Sequence, residues 1–505
     1  MKMHFRFSHL FTLSLLMLGI SLGAPISADN QTPTTTPLLS ENSLPFRIKL
    51  EKVDFKLPMG IQSYVHGLYN DKWLLLTGRV DGLHGFVENS QNNFPSKRQN
   101  THVFVIDPIR GKTYTRSLLD PESGLTQHQV DLLSVTAAQA YQSGKTLYIT
   151  GGYGVDSSTG KLNTKDALTA VDIPGLIHWV VNPYPGETAA QHIRQISHKI
   201  FKVTGGYMNK VPGDNPTLLI MGHEFNGFYA DPTQQPPEFQ EYTEQVRRFK
   251  IHDDGDDLSI TRLKPLPATP DPNFRRRDLN VMPIVKKVKN KLEKGFVVLS
   301  GVFTLTEGVW TVPVEITPKG SPSMADPTLP STFKQGMNNY DSAAFGMFSE
   351  KTGDMYNILL GGMSYGFFEK TTQGSTFSTD SEIPFISQTT VVRIDKKGNY
   401  SQHFMKGGGF PLLRSKTVNP GNRLLFGSEC EVFLFKRIPK YDNDVLKLDA
   451  LRKPTVIGFV VGGIKSTVPN TTKKSDSSTS EFIFKVIVEP LPRKLLDTTP
   501  SEESS

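Results

Sequence analysis

Six times along the chain a short run of large apolar residues ends in glycine, and after a polar stretch of variable length a second apolar segment follows. The first runs are Trp73–Gly78, Leu147–Gly152, Leu218–Gly222, Phe296–Gly301, Asn357–Gly362 and Gly458–Gly463. Their partners are Thr101–Asp107, Leu168–Asp172, Tyr242–Ile251, Val309–Ile316, Thr390–Asp395 and Phe482–Val488. Apolar residues in a row, without polar alternation, predict strands buried on both faces. A closing glycine permits positive φ and close backbone approach. From Gly78 to Gly462 the key glycines cover 384 residues in five intervals, about 77 per unit. Repetition on this scale predicts small sheets stacked radially, because one such sheet cannot bury both of its faces alone. Helix is nearly absent from the pattern; Ile177–Val181 is the one candidate for a turn or two.

The flanks complete the picture. Phe46–Phe55 precedes the first unit and can supply an outer strand to the last one, covering an otherwise open edge. A seventh unit around Leu424–Phe435 is the alternative; the preferred reading makes that stretch the inner strand of unit six, with Lys440–Lys453 as an insertion. Residues 1–28 read as a secretory signal: Lys2 and Arg6, then 13 mainly apolar residues at Leu10–Leu22, then Ile26-Ser27-Ala28. Residues 29–45 form a Thr/Pro-rich linker, 46–490 the repeat domain and 491–505 a polar tail, with both ends expected to be disordered. No later segment has the length and apolarity of a membrane span. An exported chain, periplasmic or secreted, is therefore expected.

Of the 505 residues 37% are apolar and 21% charged, which fits a packed fold. The net charge of +7 becomes +5 without the signal, too dilute over this surface to argue for nucleic acid. One cysteine, Cys430, excludes an intramolecular disulfide framework and Cys-rich metal sites, and is expected as a small buried hydrophobe.

These repeats resemble the kelch family of β-propellers, whose unit has a strand ending Gly-Gly and a following strand ending near an acid. The resemblance covers about residues 46–490 and implies an all-β, six-bladed kelch-like propeller closed by its N-terminal strand, with seven blades as the alternative. Gly78, Gly222 and Gly301 depart from it in lacking a second glycine after them. The units also exceed the usual length of about 50, mainly between the second and third strands. In such propellers the inner strands begin on the face carrying the strand-two-to-three loops, where ligands usually bind.

On that resemblance the inner-strand starts place Gln62, Asp131, Arg194, Arg277, Asp278, Tyr340, Asp341 and Glu429 around the channel mouth. This set can hydrogen-bond a sugar or a carboxylate, or merely satisfy strand ends and channel water. The loops after the glycines add Arg79, Asp81, His84, His223 and Glu224. His223 and Glu224 are adjacent, so on a strand they point apart and reach one substrate only from a loop. The absence of a His-x-His, a His-Glu-x-x-His or a Cys–His cluster leaves no metal motif, and no cofactor is implied. There is no Gly-x-Ser-x-Gly elbow either. Of the basic runs, Arg275-Arg276-Arg277 is expected to turn only Arg277 toward the channel, and Lys286–Lys294 to form a solvated hairpin tip. The expectation is an exported, monomeric, non-catalytic propeller that binds a glycan or protein through its loop-rich face. The alternative is a carbohydrate-active enzyme similar to the periplasmic kelch-type sialic acid epimerases. That reading needs an acid–base pair beside Arg277 or Arg194 holding a carboxylate.

Overall fold

The computed structural model describes residues 39–40, 44–85, 93–230, 237–306, 308–371 and 374–491; the expected signal segment and nearly all of the tail lie outside them. The fold is all-β and propeller-like, made of small antiparallel sheets of four strands. The first sheet runs Val65–Tyr69, Lys72–Leu76, His102–Asp107 and Lys112–Ser117 from its inner to its outer edge. The second runs Gln139–Ser143, Thr146–Thr150, Ala167–Asp172 and Ile193–Ser197, and the third Tyr207–Asn209, Thr217–Ile220, Val246–Asp253 and Leu258–Leu266. The fourth holds Asn280–Val288, Lys291–Leu299, Val314–Ile316 and Pro322–Met324. The fifth is built on Ala343–Ser349, Asp354–Met363, Phe385–Ile394 and Tyr400–Met405. In the sixth, Glu431–Leu434, Thr455–Val461 and Ile483–Pro490 are followed by Phe46–Lys52, antiparallel from Phe46 opposite Pro490 to Lys52 opposite Phe484.

The unbroken apolar runs are explained by how these sheets stack. Trp73 and Leu75 point to one side and pack with Phe433 and Phe459 of the sixth sheet. Leu74 and Leu76 point to the other and pack with Leu147 and Ile149 of the second. Four further apolar clusters join the second sheet to the third, the third to the fourth, the fourth to the fifth and the fifth to the sixth. Each apolar strand thus loses both faces to protein, and at roughly 1.5–3 kcal/mol per large buried side chain these clusters supply most of the cohesion.

The extra length between second and third strands is structured. Tyr153–Asp156 and Lys161–Thr164 from the second unit pair with His223–Asn226 and Phe239–Tyr242 from the third to make an accessory four-stranded sheet. Leu425–Ser428, Ile464–Ser466 and Ser477–Thr479 make another, and Gly366–Thr371 with Gly374–Thr379 a hairpin. The segment Lys440–Lys453 is no peripheral insertion. Leu446–Lys447 pairs in parallel with the inner strand Ala343–Ser349, and Asn443 Nδ2 donates to the Ile284 carbonyl at 3.1 Å. Part of the expected linker is also packed: Leu39–Ser40 pairs with His403 and Phe404, and Leu44 is fully buried.

Among the described residues two α-helices interrupt the strands. Gln127–Asp131 (α1) starts in a capping box between Thr126 and Gln129, and Ile173–Val181 (α2) is capped by Asp172 with Pro174 in its first turn. Among the described residues no helix is long and apolar enough to cross a membrane.

Candidate functional site

Each inner strand is preceded by one residue in the left-handed region: Ser63, Ala137, Gly205, Asp278, Asp341 and Glu429, with φ between 46° and 64°. Their backbones bond head to tail. Ser63 N–H donates to Glu429 O at 3.2 Å and Glu429 N–H to Asp341 O at 2.9 Å. Asp278 N–H donates to Gly205 O at 2.8 Å and Gly205 N–H to Ala137 O at 3.1 Å. These residues form a waist that separates two cavities, both of which Ser63, Ala137, Asp278 and Glu429 line.

A second repeat lies one residue earlier. Gln62, Thr136, Thr204, Arg277, Tyr340 and Ser428 pair with the residue just after each key glycine pair, respectively Arg79, Tyr153, His223, Val302, Met363 and Ile464. All of these but Arg79 and Val302 line the first cavity, a chamber of about 110 Å³ on the loop side. Its polar groups are engaged with each other. Arg277 donates to Tyr242 Oη at 2.7 Å, to Tyr229 Oη at 2.9 Å and to Asp278 Oδ2 at 3.3 Å, with its guanidinium over Phe303. Arg79 is buried, forks onto Asp81 at 2.7 and 2.9 Å and lies over Phe94. Gln62 donates to the carbonyls of Asp81 and Gly82 at 3.3 Å. His84 packs on Phe94 and Tyr229 and meets Gly85 O at 3.0 Å; burial pulls it down to about 4, against that carbonyl and with help from Arg79 and Arg277. Burial first, then Arg277 and Arg275, hold His223 well below the ordinary imidazole range. The chamber has room for about three or four water molecules at ~30 Å³ each.

The second cavity, about 770 Å³, lies across the waist. It runs along the inner strands past His66, Tyr141 and Tyr207 to the hairpin tips Asn70-Asp71 and Gly144-Lys145, where Lys436 and Lys440 also line it. Its size is within the roughly 300–1,000 Å³ of small-molecule sites, and the chamber's is not. At its waist end four carboxyl groups converge. Burial, then the charge of Glu429 and a hydrogen bond to it, push Asp341 well above the usual carboxyl range, so Asp341 keeps a proton and donates it to Glu429. Glu429 is also raised, by burial, with the Asp341 hydrogen bond opposing, Asp278 reinforcing and the Ser63 hydroxyl opposing. Burial lifts Asp278 to about 6, with Arg277 opposing and Asp341 reinforcing. Glu431 faces the channel water but is otherwise surrounded by protein, which lifts it to about 8 with a contribution from Asp341. Among the described residues no three His, Cys, Asp or Glu side chains are placed to hold a metal ion.

Of the residues singled out from sequence, Gln62, His84, His223, Arg277, Asp278, Tyr340 and Glu429 do line the chamber, and Asp278, Asp341 and Glu429 the channel. Five do not line either cavity: Arg79 and Asp81, paired with each other behind Gln62, and Asp131, Arg194 and Glu224. Asp131 is in α1, accepting from Ser157 and Gln127; the second inner strand begins only at Gln139, after Ala137, because a capped helical turn intervenes. Arg194 is on the outer strand of the second sheet, paired with Asp253 at 2.8 Å. Glu224 follows His223 on a strand rather than a loop, so it points away and meets Lys202 at 3.3 Å. In the Arg275–Arg277 run, Arg276 is not solvated. It is fully buried over Trp310, donates to the Ser300 and Val312 carbonyls, and is drawn down to about 9 by burial. Lys286–Lys294 does form a hairpin tip, turning at Lys289-Asn290. Cys430 is buried.

Sequence reasoning missed Tyr153, Tyr242 and Tyr207 as site residues. Tyr153 was within reach, since it follows Gly151-Gly152 as His223 follows Gly222. Tyr242 opens the segment read as the third unit's second strand, yet the structure ends the accessory strand Phe239–Tyr242 on it and starts the sheet strand at Val246; Tyr229 lies on the connection before it. No protein-family model matches the chain, and no curated protein matches it.

Proposed function

We propose that this chain is an exported, non-catalytic six-bladed propeller with degenerate kelch-like repeats, closed by Phe46–Lys52, which holds a small polar molecule in its axial channel. Ring closure is supported by the apolar cluster joining the sixth sheet to the first and by the Ser63–Glu429 backbone bond. The observation that carries the binding reading is the 770 Å³ cavity with hydrogen-bonding groups at its end. It moves the ligand from the loop-rich face to the channel side of the waist, entered from the hairpin tips. The alternative, a carbohydrate-active enzyme similar to the sialic acid epimerases, needs an arginine free to hold a carboxylate beside an acid–base pair, and Arg277 is engaged with Tyr242, Tyr229 and Asp278 while Arg194 is paired with Asp253.

The test is calorimetric titration of a panel of mono- and disaccharides and small amines. It uses the wild-type chain and Asn209→Trp, which projects bulk into the channel wall. One class binds wild type, raises its unfolding temperature by mass action and loses binding in Asn209→Trp. If no panel member binds at millimolar concentration, or binding survives in Asn209→Trp, the channel is not the site.

A further inference from the structure

The face opposite the loop side carries its charge unevenly. We propose that the basic half of this face docks on an anionic phospholipid surface, led by the hairpin of Asn280–Val288 and Lys291–Leu299; the proposal does not depend on what the channel holds. In a four-stranded meander the links from first to second and from third to fourth strand fall at one end, and here that is the end where the large cavity opens. In the first three sheets these links hold three lysines and arginines against six acids; in the last three they hold eleven against five. Those five acids are already engaged. Asp442 meets Lys294 at 2.5 Å, Asp444 meets Lys440 at 2.6 Å and Glu350 accepts from Tyr441 Oη at 2.6 Å. Asp395 accepts from the N–H groups of Lys397 and Asn399, and Asp449 from the Ser349 hydroxyl and the Lys351 N–H. Among the described residues Lys440 is the only one of the eleven cations held in an ion pair. The basic surface is continuous, because Asp442 and Asn443 of the sixth sheet's link bond to Lys294 and to the Ile284 carbonyl of the fourth sheet.

A second observation identifies the kind of surface. The inner strands start level at the waist, so the residue count to each turn gives its reach. The turn begins seven residues after Ser63 in the first sheet and after Ala137 in the second, but eleven after Asp278 in the fourth. Four more residues add about 13 Å of strand. At this projecting tip Val288 and Leu292 are each 39% exposed. They stand among exposed Lys287, Lys289 and Lys291, whereas Lys286 and Lys294 lower down are paired with Glu315 and Asp442. Lys289 also holds a φ of 45°, a turn position that asparagine, aspartate or glycine fills with less strain. Apolar side chains at a point ringed by lysines match the boundary between lipid headgroups and acyl chains. There the ammonium groups meet phosphates while the valine and leucine pass below them. A soluble polyanion would give the lysines partners and leave Val288 and Leu292 in water.

The experiment is co-sedimentation of the full chain with vesicles of phosphatidylcholine alone and of phosphatidylcholine with about one-third phosphatidylglycerol, at low salt and at about 0.5 M. The wild type is expected to bind the mixed vesicles only, and about tenfold or more weakly at the higher salt. Lys289→Glu/Lys291→Glu should lower binding about tenfold or more, and Val288→Ser/Leu292→Ser about fivefold. All four side chains are exposed at the tip, so both variants keep the fold. Lys97→Glu/Arg98→Glu makes the same change of charge at exposed positions on the loop side and should alter binding little. The proposal is overturned if the wild type does not bind mixed vesicles, or if the tip and loop-side charge variants behave alike. Unchanged vesicle binding in Val288→Ser/Leu292→Ser, with dextran sulfate bound by the wild type, overturns it too and marks the face as one for a soluble polyanion.

Discussion

The two sides of the waist are built from neighbouring residues of the same repeat and have opposite character. On the loop side Arg277, Tyr229, Tyr242, Arg79 and Asp81 spend their donors and acceptors on one another, and little space remains. On the channel side Asp341 and Glu429 share a proton, Glu431 lines the wall, and the space is large. Polar residues close to the axis therefore do two different jobs. Mutual satisfaction makes a plug that stabilises the sheets around it, whereas carboxyls beside a large cavity leave room for a solute.

The largest expected effect tests the plug. Arg277→Met removes a buried guanidinium and leaves Asp278 and two tyrosine hydroxyls without their partner, so unfolding free energy falls by about 3–5 kcal/mol. Urea unfolding followed by Trp fluorescence measures it. Lysine at this position should restore little, because a single ammonium cannot reproduce the fork to two hydroxyls and a carboxylate. Wild-type stability in Arg277→Met would erase the contrast between the two sides.

Next comes the backbone that holds both. The first residue of each glycine pair has positive φ in all six units, but it is Thr77, Met221 or Ser300 in three of them. The structure explains this departure from the repeat. A Cβ at Gly151 would lie 2.0 Å from the Val203 carbonyl, and at Gly361 2.2 Å from that of Phe426. Where a neighbouring carbonyl presses so close only glycine fits; elsewhere the left-handed conformation costs roughly 1–2 kcal/mol and is tolerated. Gly151→Ala should therefore cost roughly 3 kcal/mol by thermal unfolding. Thr77→Gly should change little, since relief at φ is offset by losing the Thr77 hydroxyl that accepts from Val65 N–H at 3.2 Å.

The same comparison shows what could be read in advance. All six apolar runs became second strands, because burial on both faces leaves a signal in consecutive residues. The Phe46 segment was also legible, as an unpaired apolar strand facing an unpaired edge. The inner strands were harder. They are short, mixed in polarity and marked by a left-handed residue that need not be glycine, so α1 at Asp131 and the outer strand at Arg194 were mistaken for starts. The chamber's tyrosines come from connections whose lengths differ in every unit. Which side of the waist is hollow depends on how the accessory sheet folds over one face, and no local pattern encodes that.

The smallest expected effect separates the two sides by pH. Buried His84 and His223, held neutral, must charge when the chain unfolds in acid, so their contribution is lost as pH falls below about 6.5, for His84 down to about 4. His66 on the channel wall, also lowered to about 4 by burial, adds to this. The waist carboxyls act in the other sense. Asp278 at about 6 and Glu431 at about 8 bind protons in the folded chain at pH values where unfolded carboxyls have released them. Their contribution is complete below about pH 4 and is lost as pH rises through those values. Between about 4 and 6.5 histidines and acids offset each other. Above about 6.5 the histidines are neutral in both states and only the high-lying acids still titrate, so stability should fall slowly toward pH 8.5. Glu431 is open to channel water, which screens its share. Glu431→Gln should accordingly flatten this decline by only about 1–2 °C in unfolding temperature, with no change at pH 5. A decline equally steep in wild type and Glu431→Gln would mean that the protons on the channel side are held elsewhere.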